Sequence, residues 1–169
     1  MTTSLRVMCL FLAIGTLLPA SLSRAERLTG AETERATHAL HTWLESEDFD
    51  EGELNTLIRY GEAVVPSLIA ALSAGPSPAR RERLRRSLDA GYSSLAEPAR
   101  KQTGRKVPSR DDFIGHYLGN FEALYRVRAA QALAAIGGPE ARKALDAAVG
   151  RPARPDVRAV IEQALKEIK

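Results

Sequence analysis

The stretch that decides the fold is "YRVRAAQALAAIGGPEARKALDAAV", residues 125–149. Alanine and leucine recur in it every three or four residues, which is the spacing of one face of an α-helix. Two glycines and a proline interrupt the run at residues 137–139, and the same pattern then resumes. The stretch therefore predicts two helices joined by a tight turn.

The first of these helices has a second copy 32 residues further along the chain. Residues 125–136, "YRVRAAQALAAI", align without a gap with residues 157–168, "VRAVIEQALKEI". The alignment pairs Leu133 with Leu165 and predicts equivalent core positions for them. A looser match relates residues 61–72 to residues 138–149. Helix pairs that cannot bury their own apolar faces are built to stack, so we expect a short array of repeats.

These residues resemble HEAT repeats of the short bacterial, lyase-associated type. The resemblance rests on a helix with Val-Arg near its start and Ala-Leu near its end, a glycine turn, and the second helix "EARKALDAAV". It covers residues 120–169 well and residues 52–90 less closely. It implies an all-α fold, a short right-handed α-solenoid of stacked HEAT-like helix pairs, and a protein-binding role, but no particular chemistry.

The N-terminal segment, residues 1–25, has the pattern of a secretory signal peptide. Arg6 precedes a charge-free apolar run over residues 7–20, and Ser23 and Ala25 stand at the minus-three and minus-one positions of a cut. The run is shorter than the about 20 residues of a spanning helix, which argues against an uncleaved membrane anchor. Such an anchor is the alternative interpretation. We expect a periplasmic or secreted protein.

After removal of this segment we expect one domain, residues 26–169, without cysteine. Its predicted parts are a capping helix over 26–50, the first repeats over 52–90, a linker or insertion over 91–119 and the C-terminal repeats over 120–169. Helix starts are expected after Thr29, Ser77 and Ser109, and a bend or restart at Gly91. Without disulfides, the core alone must hold the fold.

Charge divides the chain into two halves. Residues 26–75 hold 10 acids and 3 bases, whereas residues 76–169 hold 11 acids and 19 bases. Arginine is concentrated in "RRERLRR", residues 80–86, and cations recur in "KQTGRKVPSR", residues 101–110. Export argues against nucleic acid as the partner. An acidic protein, an anionic lipid headgroup and the chain's own acidic half remain as partners for these cations.

Three arginines, Arg81, Arg126 and Arg158, share one position of the repeat. In a stacked array such a position forms a ladder between neighbouring units. We therefore interpret these arginines as structural.

The first helix carries Glu34, His38, His41 and Glu45 on one face, at spacings of four, three and four. The apolar residues of that helix occupy the opposite face, so we interpret the four as a solvated stripe and expect no metal site and no cofactor. The acidic run "ESEDFDEGE", residues 45–53, lacks the glycine register of a calcium loop and is read as a charged turn.

Four aromatic residues, Phe113, Tyr117, Phe121 and Tyr125, stand four apart. We assign three of them to packing and expect Tyr117, beside His116, to lie outside the core. The binding surface is predicted between residues 80 and 125, where cations and aromatics meet. Its candidate binding residues are Arg100, Lys101, Arg105, Lys106, His116 and Tyr117.

No nucleophile, metal or phosphate motif of a known enzyme class occurs in the sequence, so we expect no catalytic activity. The resulting expectation is an exported, monomeric scaffold or adaptor that binds an acidic protein or peptide in the cell envelope. The alternative is an envelope binder of anionic lipid or glycolipid that uses the basic segment 80–110.

Overall fold

The computed structural model describes residues 29–46, 48–103 and 107–168. Within these residues all regular structure is helical, as the sequence predicts. The predicted signal peptide lies outside the described residues. The elements are α1 (Gly30–Glu45), α2 (Glu51–Ile58), a 3₁₀ turn (Gly61–Val64), α3 (Val65–Ala74), α4 (Pro78–Thr103), α5 (Arg110–Ile136), α6 (Pro139–Val149) and α7 (Pro155–Glu167).

Local side-chain chemistry sets the helix starts that the sequence predicts. The Thr29 hydroxyl accepts a hydrogen bond from the Glu32 backbone N–H, and the Glu32 carboxylate accepts one from the Thr29 N–H at 2.8 Å. Ser109 accepts a hydrogen bond from the Asp112 N–H at 3.1 Å and so caps α5. These bonds satisfy N–H groups that have no partner inside the helix. At the other end of α5, Gly137 adopts a φ of 77°, which favours glycine.

Helix α4 is longer than the sequence analysis expected. It runs unbroken for 26 residues, through Gly91, where we expected a bend or restart, and through Pro98. Tyr92 and Ala96 continue the buried side of the helix beyond Gly91. A glycine inside a helix costs about 1 kcal/mol, which packing of these side chains offsets. As a result, the segment 91–119 consists mainly of the end of α4 and the start of α5, and residues 101–103 of the expected exposed linker are helical.

The core forms around the C-terminal half of α5, residues 123–136. This half packs with α1, α2, α3, α6 and α7, and its alanine-rich surface allows those helices to approach closely. Eight of its residues are buried. Its buried members are Ala123, Tyr125, Arg128, Ala129, Ala130, Ala132, Leu133 and Ala134.

The two sequence copies share part of their buried positions. Three aligned pairs are buried in both helices: Tyr125 with Val157, Ala129 with Ile161, and Ala132 with Ala164. Other pairs differ, and among them Leu133 is fully buried whereas Leu165 is only partly buried. The reason is coverage: α7 packs mainly against α5 and α6, whereas α5 is surrounded by helices.

One polar contact joins α1 to the centre of this core. The indole N–H of Trp43 donates a hydrogen bond to the Arg128 backbone carbonyl at 2.9 Å. The Arg128 guanidinium in turn lies 4.7 Å from the centre of the Trp43 ring and 5.4 Å from that of Phe49. The buried arginine thus contacts both aromatic rings.

Candidate functional site

Helix α4 and the N-terminal half of α5 form an antiparallel hairpin, residues 78–103 and 107–122, which we call the arm. Its base is held by an ion pair between Arg81 and Glu122 at 2.8 Å. Nearer the tip, Arg110 pairs with Asp89, and the Tyr92 hydroxyl donates to the Pro108 carbonyl at 2.7 Å. Helix α4 packs mainly against α5, so much of the arm surface faces solvent.

The aromatic residues of α5 divide between the arm and the core. Tyr125 is 5 % exposed, and burial raises the pKa of its hydroxyl. Phe113 and Phe121 are half-buried. Tyr117 is 48 % exposed and packs against Phe113, with ring centres 4.7 Å apart. The structure thus places Tyr117 on the surface beside the exposed His116, as the sequence analysis expected.

An apolar groove lies at the outer end of the arm, and we call it the tip groove. It has a volume of about 620 Å³. Its apolar lining comes from both helices and from the segment before α5: Tyr92, Leu95, Ala96, Val107, Phe113 and Tyr117. Leu95 is 62 % exposed at its edge. Such a groove can take an apolar side chain from a partner.

A second groove, the basal groove, follows it along the arm toward the core. It has a volume of about 670 Å³ and shares Tyr117 with the tip groove. Its other lining residues include Arg80, Arg83, Leu84, Phe121 and Glu45. The two grooves thus place an apolar surface next to a cationic one.

The arginines of "RRERLRR" differ in whether they already have an acidic partner. Arg80 pairs with Glu45 of α1, and Arg85 pairs with Glu82 at 3.2 Å. Arg83 and Arg86 are exposed and make no ion pair within the described part of the chain. The chain's own acids therefore neutralise part of the cluster and leave Arg83, at the basal groove, without a carboxylate.

The other predicted binding cations lie at the far end of the arm. Arg100 and Lys101 belong to the last turns of α4, and the Lys101 side chain is exposed. Arg105 and Lys106 lie outside the described residues. Lys101 lines neither groove, whereas Arg83 and Leu95, which the sequence analysis did not single out, do so.

The three repeat arginines have different surroundings. Arg81 makes the ion pair with Glu122 described above. Arg126 lies against Gly75: a Cβ added to Gly75 would lie 3.5 Å from the Nε of Arg126. Arg158 is exposed on α7. Their structural role as a ladder stays a prediction.

The stripe on α1 is mostly solvated. Glu34 and His38 are exposed, and Glu45 makes the ion pair with Arg80. His41 is half-buried, and burial, followed by the charges of Arg80 and His38, lowers its pKa. Among the described residues, no three His, Cys, Asp or Glu side chains are grouped so that they could hold a metal ion. The acidic run ends in the start of α2, which Asp50 caps.

Comparisons with known protein families, with curated proteins and with solved structures find no match for this chain. Over the described ranges, no single helix has the length and apolar character to cross a membrane. Residues 51–58 and 61–74 meet those criteria only as a pair, and that pair is bent by 102°. The resemblance to HEAT repeats therefore rests on the sequence pattern alone.

Proposed function

We propose that this protein is an exported, non-catalytic scaffold that binds a protein or peptide through the arm. The observation that carries the proposal is the tip groove with its two exposed apolar side chains, Leu95 and Tyr117. Large apolar side chains that border a groove are typical of surfaces that a partner covers, and aromatic residues dominate the binding energy of such surfaces.

We propose further that the helices form a short right-handed α-solenoid of HEAT-like pairs. The support is that three aligned pairs of residues 125–136 and 157–168 are buried in both helices and that α5 packs against α7. In such an array the arm is an insertion that leaves the stack, and insertions in solenoids often carry the binding surface.

An anionic lipid or glycolipid is the second candidate partner. The exposed cations Arg83, Arg86 and Lys101 favour it, because each attracts a phosphate group and none is paired within the described residues. The two candidates differ in their response to salt. A surface held by charge releases its partner at moderate ionic strength, whereas an apolar side chain buried in the tip groove resists salt.

The test is capture of partners from an envelope extract of the source cell by the immobilised protein. The variant Leu95→Ser with Tyr117→Ser removes the apolar edge of the tip groove. The matched control is Phe49→Ser, because Phe49 is 58 % exposed but lies outside the arm. We expect the double variant to lose the protein that the natural chain and the control both retain, at low and at moderate salt.

Equal capture by the double variant and the control would place the binding surface elsewhere. Melting curves of all three proteins show whether each variant is folded. Retention of lipid instead of protein, with release at moderate salt, would favour the second candidate.

A further inference from the structure

The basal groove already holds one carboxylate, and it belongs to the chain itself. Glu45, the last residue of α1, reaches the wall of the groove and pairs with Arg80 of α4. The Glu45 side chain remains 39 % exposed, so solvent reaches this ion pair. The groove therefore accepts a carboxylate, and the Glu45 carboxylate that occupies it remains accessible to solvent.

The next guanidinium on the same wall has no such occupant. Arg83 lies one helical turn beyond Arg80 and also lines the groove. It is exposed and makes no ion pair in the part of the chain that the structure describes. Three acids of the arm, Glu82, Asp89 and Glu122, each pair with another arginine.

The apolar wall of the basal groove indicates that a bound segment needs an apolar side chain beside its carboxylate. Tyr117 and Phe121 face Arg83 across the groove, and Tyr117 continues into the tip groove. Leu95 lies twelve positions after Arg83, a distance of about 18 Å along α4 at about 1.5 Å per residue. An extended segment of about five or six residues spans that length. A chain segment with alternating acidic and apolar side chains fits both grooves.

We propose that the basal groove binds an acidic segment of a partner protein, with Arg83 as its carboxylate-binding residue and Glu45 as a built-in competitor at Arg80. The incoming carboxylate pairs with Arg83, and a second one exchanges with Glu45 at Arg80, while an apolar side chain rests on Tyr117. This inference depends on the proposed function, because it names the class of partner that the arm recognises.

The probe is a fluorescein-labelled hexapeptide of alternating glutamate and leucine with a single phenylalanine, and anisotropy measures its binding to the full chain. A second peptide carries glutamine in place of every glutamate. Arg83→Gln should weaken binding of the acidic peptide about fivefold, which is the size of one exposed ion pair. Glu45→Gln should tighten binding by a similar factor, because it frees Arg80.

Arg85→Gln is the matched control, since it removes the same charge from the same helix, and Arg85 pairs with Glu82 outside the groove. We expect this variant to change affinity less than about twofold. Equal losses of affinity in the Arg83 and Arg85 variants would show that the positive charge of the helix as a whole attracts the peptide, and not a site at Arg83. Equal binding of the two peptides, no change in the Glu45 variant, or no binding of the acidic peptide would each overturn the proposal.

Vesicles of phosphatidylglycerol and phosphatidylcholine test the other source of negative charge. Flotation with the anionic vesicles, combined with no binding of the acidic peptide, would replace the peptide with a membrane surface. The capture experiment with the Leu95 and Tyr117 variant separates the two proposals. A partner that is lost in that variant but bound normally by Arg83→Gln leaves the proposed function intact and removes this inference.

Discussion

The two halves of α5 are continuous in sequence and helix but differ in what they contact. Residues 110–122 contain one buried residue, Ile114, whereas residues 123–136 contain eight. The first half pairs mainly with α4 in the arm, and the second half is surrounded by the helices of the core. Helix α5 is therefore one continuous helix whose two halves differ in burial. Residues 123–136 stabilise the core, and residues 110–122 present a surface to solvent.

This difference explains where apolar side chains are left exposed. The core half uses alanine, which lets helices approach closely and leaves little apolar surface uncovered. The arm uses larger side chains on two helices only, so Leu95 and Tyr117 remain 62 % and 48 % exposed. A two-helix hairpin has no third layer to cover them, and a partner would supply that layer.

Hydrogen exchange along α5 gives the largest contrast. We expect amides of residues 126–134 to exchange at least about 100-fold more slowly than amides of residues 114–121, because opening the arm exposes far less apolar surface than opening the core. Exchange followed by two-dimensional NMR measures both sets in one sample. Uniform rates along the helix would show that the arm and the core open together and would remove the distinction.

The sequence predicts the helices well where local chemistry decides them. Thr29, Ser77 and Ser109 precede helices because their hydroxyls accept backbone hydrogen bonds, which depends only on neighbouring residues. It predicts the length of α4 badly. Gly91 is a local signal for a break, and the contact that overrides it, between Tyr92 and Phe113 with ring centres 5.4 Å apart, joins residues of different helices.

The residues of the candidate site also divide into one that the sequence predicts and others that it does not. Tyr117 was predicted to lie outside the core from the crowding of four aromatic residues, and it does. Arg83 and Leu95 were not singled out, because their roles depend on tertiary contacts. Which arginine of the cluster keeps a free guanidinium depends on Glu45, 35 residues before Arg80, and no spacing rule relates the two. A signal for Leu95 existed in its helical spacing from Leu88 and Tyr92.

Cavity mutations sharpen the contrast between core and arm. Leu133→Ala should lower the free energy of unfolding by about 2–5 kcal/mol, because Leu133 is fully buried. Leu165→Ala should cost about half as much, because its side chain is only partly covered. Leu95→Ala, on the arm, should cost less than about 0.5 kcal/mol. Urea titrations measure all three, and equal costs at Leu133 and Leu165 would restore their full equivalence.

Trp43→Phe tests the polar contact at the centre of the core. The change leaves the Arg128 carbonyl without the indole donor and weakens the stacking on its guanidinium, so we expect a loss of about 1–3 kcal/mol. Burial lowers the pKa of Arg128, and the nearby acids Glu53 and Asp48 act in the opposite direction. Phe49→Leu is the control, because it removes the outer ring and keeps the hydrogen bond. A similar loss in both variants would assign the energy to ring packing rather than to the bond.

The smallest expected effect is the pH dependence that His41 adds where α1 meets the arm. Burial, Arg80 and His38 lower the pKa of His41, so the folded protein holds this imidazole neutral where the unfolded chain protonates it, below the ordinary value of about 6.5. The unfolded state then binds more protons, and stability falls as the pH drops through that value.

Melting temperatures measured at pH 7.5 and pH 5 should therefore differ less in His41→Gln than in the natural chain. His116→Gln, an exposed histidine on the arm, should retain the natural difference. Glu45 lies four residues after His41 and pairs with Arg80, so its carboxylate offsets the positive charge of Arg80. Glu45→Gln removes that carboxylate and should therefore enlarge the difference. An unchanged difference in the Glu45 variant would mean that the Glu45 carboxylate does not offset the effect of Arg80 on His41.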